Sequence, residues 1–480
     1  MKKSHALAFV PFLAALPAFA NPATQPGADH LTQVFQTYLG TTAGVVSVAM
    51  NGDTYDVTLD VGPLLKTAAT KDVTAKISPL KLSLTDNGDA TWHVTGDQAV
   101  SVAMSLPNAF DIQEVVASQK LDGTFVESLM AFSALKGEFS GLKLTEMISG
   151  PNTPATNAEV AVDKGAFEVT SVAGASGGVD TKMNLTATGL SETITAPVTE
   201  GQPGMPITVK AAALTEVVTG TGIKFDGIYK TLAWVVSHPG QDAMKADKAG
   251  LKAILTDALP VFANLNVTGT VSKLTVDTPM GPVGVAEMSF TADLNGAVAE
   301  GKAREAFSLS GLTLPDGVLP PWAAPILPQK ISLDVQITDF DAAAAMTTAL
   351  GVMDLPDGTP PGPEFNAKLQ AAAIPKGYVT ITVNPGSLSG DGYELTYEGK
   401  MAAKSDSSVP TGTAKVTLTG VDKLTTAIQA APDDMKAQAM MGFGMVQGMA
   451  KKDGNKLVWV IDATKPGSVL VNGTPVMGGN

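Results

Sequence analysis

The stretch "VVSVAMNGDTYDVTLDV", Val45 to Val61, decides the fold class of this chain. On either side of Asn51-Gly52, apolar and polar residues alternate, the period of a strand with one buried face. Asn-Gly between two such runs reads as a two-residue hairpin loop, because both residues tolerate the positive φ of a type I′ turn. The pattern continues outward. "LKLSL", "ATWHVT" and "AVSVAMS" alternate in turn, with Asn87-Gly88 between neighbours, so residues 44 to 105 read as an antiparallel meander. Asp-Gly turn signals follow at 122, 226, 316, 357, 391 and 453, and Asn-Gly again at 295 and 472.

Helical patterns interrupt the strands. "ADHLTQVFQTYLG" sets Leu31, Val34, Phe35 and Leu39 on one helical face between Asp29 and a stop at Gly40. Others cover 226 to 238, 241 to 262, 339 to 352, 364 to 373 and 421 to 451. In the second, Leu251, Ile254, Leu255, Ala258 and Phe262 form the apolar seam while Lys245, Lys248 and Lys252 stay wet. The expected fold is α+β and strand-dominated: large twisted antiparallel sheets with a few amphipathic helices on one face. "SGLKL" at 140 to 144, "TGL" at 188 to 190, "SGLTL" at 310 to 314 and "TGVDKL" at 419 to 424 read as recurring strand exits. Their uneven spacing gives no solenoid period. Pro/Gly-rich stretches at 149 to 157, 195 to 206, 314 to 328 and 355 to 364 are candidate boundaries. They suggest a β-rich N-terminal domain over 21–200 and an α+β C-terminal domain over 201–480.

The opening "MKKSHALAFVPFLAALPAFA" has the layout of a cleavable signal peptide over residues 1–20: Lys2 and Lys3, an apolar run too short to span a bilayer, then Ala18 and Ala20. Cleavage is predicted after Ala20, and no later segment is a transmembrane candidate. The chain has 0 cysteines, which fits a periplasmic protein without disulfides; secretion or outer-membrane association are the other exported destinations. Removing Lys2 and Lys3 leaves 30 of the 32 basic residues against 46 acidic ones, a net of about −16. Such an acidic surface repels nucleic acid, so no nucleic-acid partner is expected. At 44% hydrophobic residues the chain folds, and at 5% aromatic it lacks the girdles of an outer-membrane barrel.

Sites for chemistry are sparse. His30, His93 and His238 share no metal-ligand spacing. "GASGG" at Gly174 to Gly178 matches a nucleophile elbow in letters, but strand-period sequence on both sides makes it a hairpin loop. "SPLK" at 78 and "SALK" at 133 lack the companion motifs of serine acyl-enzymes. "DNGDATW" from Asp86 lacks the oxygen ligands of a calcium loop. No catalytic, metal or cofactor residue is assigned, and no cofactor is expected. The least ordinary stretch is "DDMKAQAMMGFGMVQGMAKK", Asp433 to Lys452, opened by Pro432. Met441, Met445 and Met449 recur at i+4 beside Phe443, with Gly444 and Gly448 in a G-x-x-x-G pattern. One reading is a core helix that approaches the sheet at its glycines. The other is an adaptable lining for an apolar ligand, with Met441, Met445, Met449 and Phe443 as its residues.

The tail "KLVWVIDATKPGSVLVNGTPV", Lys456 to Val476, places Leu457, Trp459 and Ile461 on one face and Val458 and Val460 on the other, so cover is expected on both sides. With "LPPWAAPILPQKISLDVQITDFD" at 319 to 341 and the Asn-Gly meanders behind a signal peptide, the chain resembles the exported bacterial proteins grouped as domain-of-unknown-function family 2125. More distantly it is similar to the family 945 envelope proteins. The resemblance implies an extracytoplasmic location and supplies no catalytic residues. The leading expectation is a non-catalytic cell-envelope protein that binds a lipid or other apolar ligand on a concave sheet face. A structural protein that pairs with an envelope partner through its sheet edges is the second reading, and a carboxylate-dependent hydrolase the third.

Overall fold

The computed structural model describes residues 21–68, 73–150, 153–196, 205–404, 409–465 and 467–477. The signal peptide at 1–20 and the domain boundary at 200 lie outside them. A 21-stranded antiparallel sheet dominates. Its first half comprises β1 (Val46–Asn51), β2 (Thr54–Leu59), β3 (Thr74–Ile77), β4 (Leu80–Asp86), β5 (Thr91–Leu106), β6 (Phe110–Val126), β7 (Ala131–Gly150), β8 (Thr153–Ala173), β9 (Val179–Ala196) and β10 (Met205–Ile223). Its second half comprises β11 (Asn264–Thr278), β12 (Gly281–Asn295), β13 (Gly301–Thr313), β14 (Lys330–Phe340), β15 (Tyr378–Gly390), β16 (Tyr393–Lys404), β17 (Thr411–Thr419), β18 (Lys451–Asp453), β19 (Lys456–Asp462), β20 (Val469–Val471) and β21 (Thr474–Met477).

From β4 to β17 each strand pairs with the next in the chain. β3 shares with β4 one edge of β5, and β18 shares with β20 one edge of β19. Among the described residues no pairing joins β1 to β21, so the sheet stays open. β9 and β10 flank the expected domain boundary, and they pair from Met205 opposite Ala196 to Ile223 opposite Val179. The sheet therefore runs through both sequence-defined domains without a break.

The helices are α1 (Gln25–Leu39), α2 (Gly62–Ala68), α3 (Phe225–Ser237), α4 (Gln241–Ala246), α5 (Lys248–Ala258), α6 (Ala342–Leu350), α7 (Pro363–Ala373), α8 (Val421–Gln429) and α9 (Asp433–Gly448). The pattern at 241 to 262 breaks at Asp247, whose carboxylate caps α5 by accepting the Gly250 N–H at 3.1 Å. The pattern at 421 to 451 breaks at Pro432, which has no N–H to continue a helix and opens α9 instead. α2 lies inside the stretch read as pure meander. Two Asp-Gly signals are not turns: Asp122-Gly123 lies within β6 and Asp226-Gly227 within α3.

Helices mark the two ends of one sheet face. Ala28 and Leu31 of α1 pack on Tyr55, Val57, Leu84, Trp92 and Val94, the first core cluster. Phe443 and Met449, on α9 and at its end, pack on Leu418, Leu457 and Trp459, the second. α1 meets α3 through Tyr38 and Tyr229, ring centroids 5.2 Å apart, and α3 packs in turn on α5. These helices follow the edge at which the even-numbered strands from β4 to β14 end.

The expected strand exits are instead a crease. Gly141, Gly189 and Gly311 sit inside β7, β9 and β13 with φ of 62°, 64° and 67°, and Lys273 inside β11 with φ of 51°. The register sets them on one line with Ala117, Asp163, Ala212 and Ala286 of the strands between. Every second strand from β7 to β13 thus takes a left-handed residue at the same level. Only Gly420 of the four motif glycines ends a strand, just before α8. A left-handed backbone serves a turn and a mid-strand kink alike, so the local sequence signal is the same for both.

Candidate functional site: an apolar sheet face

Directly paired residues point to the same side of a sheet, so the register fixes what each face carries. Between the crease and the helix-bearing edge, one line of paired residues crosses from β1 to β20. It reads Met50, Tyr55, Leu84, Val94, Gly123, Leu135, Val169, Met183, Val218, Val267, Ala292, Glu305, Val335, Val383, Gly399, Ala414, Ile461 and Val471. At about 4.8 Å per strand this line is roughly 80 Å long. The parallel line nearer the crease runs through Phe139, Gly165, Ala187, Leu214, Val271, Met288, Leu309, Ile331, Leu388, Leu395, Leu418 and Leu457.

The opposite face is polar. Its corresponding line reads Lys120, Glu138, Ala166, Thr186, Thr215, Thr270, Ser289, Ser308, Ser332, Ser387, Thr396 and Thr417. Hydroxyls bond across it, with Ser289 and Ser308 oxygens 2.7 Å apart. Thr and Ser satisfy the pleat and water together, so this face needs no cover. A depression of about 430 Å³ on it, lined by Lys120, Glu138, Lys164 and several hydroxyls, is ordinary solvated sheet surface.

The apolar face is different because its middle is open. α1 covers it near β2 to β5 and α9 near β16 to β19, but between them Leu294, Phe307, Leu333 and Ile337 are exposed at 41%, 37%, 43% and 37%. From β6 to β14 the area is on the order of 1,000 Å², from about 4.8 Å between strands and about 6.8 Å between residues two apart. That exceeds the few hundred Å² of contiguous apolar surface normal on a soluble monomer, and such patches mark interaction surfaces.

Under α8 and α9 the same face deepens into a cleft of about 550 Å³. Leu388, Leu395, Val416, Leu418, Trp459 and Ile461 form its floor, while Leu424, Phe443, Val446 and Met449 form its roof. Tyr393 contributes the only hydroxyl, donated to the Ile326 carbonyl at 2.8 Å; burial raises its pKa above the ordinary phenol value. Two hydrogen bonds tie the end of α9 to the closing hairpin. Trp459 Nε1–H donates to the Val446 carbonyl at 2.9 Å, and Asn472 Nδ2 donates to the Met449 carbonyl at 2.8 Å.

Of the methionine-helix residues, Phe443 and Met449 line this cleft, whereas Met441 and Met445 face solvent at 67% and 66% exposure. α9 turns its Phe443–Val446 side to the sheet, which directs Met441 and Met445 away. Nor do its glycines approach the sheet: a β-carbon added at Gly444 or Gly448 would meet nothing within 4 Å. The tail departs from expectation too. Leu457 and Trp459 are buried beneath α9, but Val460 is 46% exposed, so the last long strand is covered on one side. The sequence could not reveal the long apolar line, because each strand shows only alternation; the signal appears once strands are aligned by their hairpins.

A Ser-His-Asp arrangement occurs at the end of α3. Ser237 Oγ is 3.0 Å from His238 Nδ1, and His238 Nε2 is 3.2 Å from Asp247 Oδ2. The Trp234 carbonyl, which can only accept, lies 2.8 Å from the same Nδ1, so that nitrogen donates and has no lone pair for the serine proton. Trp234 stacks on His238 at 4.3 Å and gives its indole N–H to Asp247 at 2.9 Å. This bond foremost, with the Gly250 N–H and His238, holds the Asp247 carboxyl below the ordinary carboxylate range. The group works as a clamp between α3 and α5. Among the described residues no cluster of three His, Cys, Asp or Glu could hold a metal, and no helix is long and apolar enough to cross a membrane.

No protein-family model matches the chain, and neither does a curated protein or a solved structure.

Proposed function

We propose that this is an extracytoplasmic, non-catalytic protein that holds lipids or similar amphiphiles with their chains against the apolar face of its sheet. The carrying observation is the apolar face itself, crossed by the line from Phe139 to Leu457, open between β6 and β14 and covered by α1 and α9 at its two ends. Each methylene moved from water onto such a surface contributes about 0.8 kcal/mol when fully buried, so a single partly covered acyl chain is held reversibly. The signal-like leader and the lack of cysteine support an exported protein.

Mass spectrometry of organic extracts from the purified mature protein tests this reading. Co-purifying amphiphiles are expected, and their loss is expected in Phe307→Lys and Leu333→Lys, which put charge on the open floor. Both side chains are partly exposed, so the variants should keep the far-UV spectrum and unfolding midpoint of the parent. Clean extracts from protein that also fails to take up added dodecanol would end the proposal.

A further inference from the structure

Across the apolar face between the crease and the helix-bearing edge, from β5 to β19, the lines of paired residues contain two charged side chains, Glu216 on β10 and Glu305 on β13. Glu216 is set between Leu185 and Gly269, and Glu305 between Ala292 and Val335 beside Phe307. No lysine or arginine shares this surface with them. Among the described residues neither carboxylate has a hydrogen-bond or ion-pair partner. Two carboxylates on the polar face, by contrast, find cations: Glu168 with Lys136 at 3.4 Å, and Asp334 with Arg304 at 2.7 Å.

An ionised carboxylate amid apolar neighbours loses hydration when a ligand covers it, unless the ligand brings a compensating charge. The pair lies roughly 16 Å apart by strand spacing, so each meets a separate headgroup and both select the same sign. An anionic amphiphile is repelled, a neutral one leaves the carboxylate desolvated, and an amine supplies a charge-assisted hydrogen bond. We infer that Glu216 and Glu305 set the specificity of this face for amphiphiles whose polar end carries a cationic amine. This inference rests on the apolar face being a ligand site.

Isothermal titration of the full mature protein with dodecylamine and with dodecan-1-ol, both below their aggregation concentrations, separates the two ideas. Dodecylamine is expected to bind about fivefold more tightly than the alcohol, the upper range for a solvent-facing ion pair. Glu216→Gln with Glu305→Gln should abolish the preference, while Glu138→Gln, which removes one charge from the polar face, should leave it. Equal binding of amine and alcohol overturns this inference and leaves the ligand site standing. A preference that survives the double variant, or that Glu138→Gln removes equally, also overturns it, because the overall negative charge then accounts for the effect. Failure of both probes to bind overturns the inference and the ligand site together. Glutamine is nearly isosteric, and matching circular dichroism spectra check that the variants fold.

Discussion

Gly165→Ala offers a test in which the sign of the effect decides. In an ordinary strand, replacing Gly by Ala stabilises by about 0.5–1 kcal/mol, because glycine loses more backbone freedom on folding. Gly165 on β8 stands directly opposite Phe139 on β7, and a β-carbon added there falls well inside the phenyl ring. The reciprocal pair Gly137 and Phe167 repeats the arrangement one step along, so the two rings fold over the two glycines in opposite directions. Overpacking of this kind costs about 1–3 kcal/mol, which exceeds the propensity gain, so a net loss of about 1–2 kcal/mol is expected. The assay is equilibrium unfolding in guanidinium chloride, run also on Phe139→Ala and the double variant. Once the ring is gone the alanine should be harmless, giving a coupling of about 1 kcal/mol or more. A Gly165→Ala protein as stable as the parent, or more stable, refutes the claim that the Phe139 ring fills the space beside Gly165.

Trp459→Phe keeps the packing under α9 but takes the indole donor from the Val446 carbonyl, which then keeps only the longer bond from the Met449 N–H at 3.3 Å; a loss of about 1 kcal/mol and faster proteolysis within α9 are expected, and unchanged cleavage counts against a tie between α9 and the closing hairpin. The clamp at Asp247 is pH-dependent. Its folded-state pKa is lowered, so its contribution is full above the unfolded value of about 3.9 and disappears as pH falls through the folded value. Protection factors for hydrogen exchange in α3, the observed rates corrected for the intrinsic pH dependence of amide exchange, should therefore fall below about pH 4 in the parent, and Asp247→Asn should remove that dependence. Lys273→Gly relieves a left-handed non-glycine residue and should be neutral or stabilising by up to about 1 kcal/mol. Lys143→Gly, in β7 at a position without positive φ, should lose about that amount; equal losses at both sites would refute strain at the crease.

The sequence makes the strand alternation and most hairpins legible because both are local. Asn51-Gly52, Asn87-Gly88 and Asn472-Gly473 each join the strands that flank them. The failures come where one local signal serves two geometries. Asp122-Gly123 has turn chemistry, yet Gly123 lies in β6 with Val94 and Leu135 on either side, where the lack of a β-carbon gives the Ala134 carbonyl room. Gly141, Gly189 and Gly311 announce positive φ but not whether the chain turns back or only kinks. The candidate site was harder to see. Phe443 and Met449 were legible from composition as cleft residues, but the i+4 rule that joined Met441 and Met445 to them ignored that a helix on a sheet presents one side only. Glu216 and Glu305 are unremarkable in their own strands and become informative only when the strands from β5 to β19 are laid in register.

The division of the sheet into a hydroxyl-rich face and an apolar face bears on how the fold holds together. Its central strands run far beyond the usual five or six residues, and their backbone ladders account for much of the contact in the molecule. Hydrogen-bonded ladders alone add little net stability, since each bond replaces bonds to water. The buried clusters lie at the two ends, under α1 and under α9, and no strand from β6 to β14 contributes a buried residue to either. A ligand laid on that middle removes apolar area from water where the protein itself does not. By mass action it then stabilises the folded state by about 2.7 kcal/mol at a hundredfold excess over its dissociation constant. Ligand and fold are then coupled: the open floor that creates the site is the part of the sheet outside both buried clusters, and occupancy supplies the cover that helices supply at its ends.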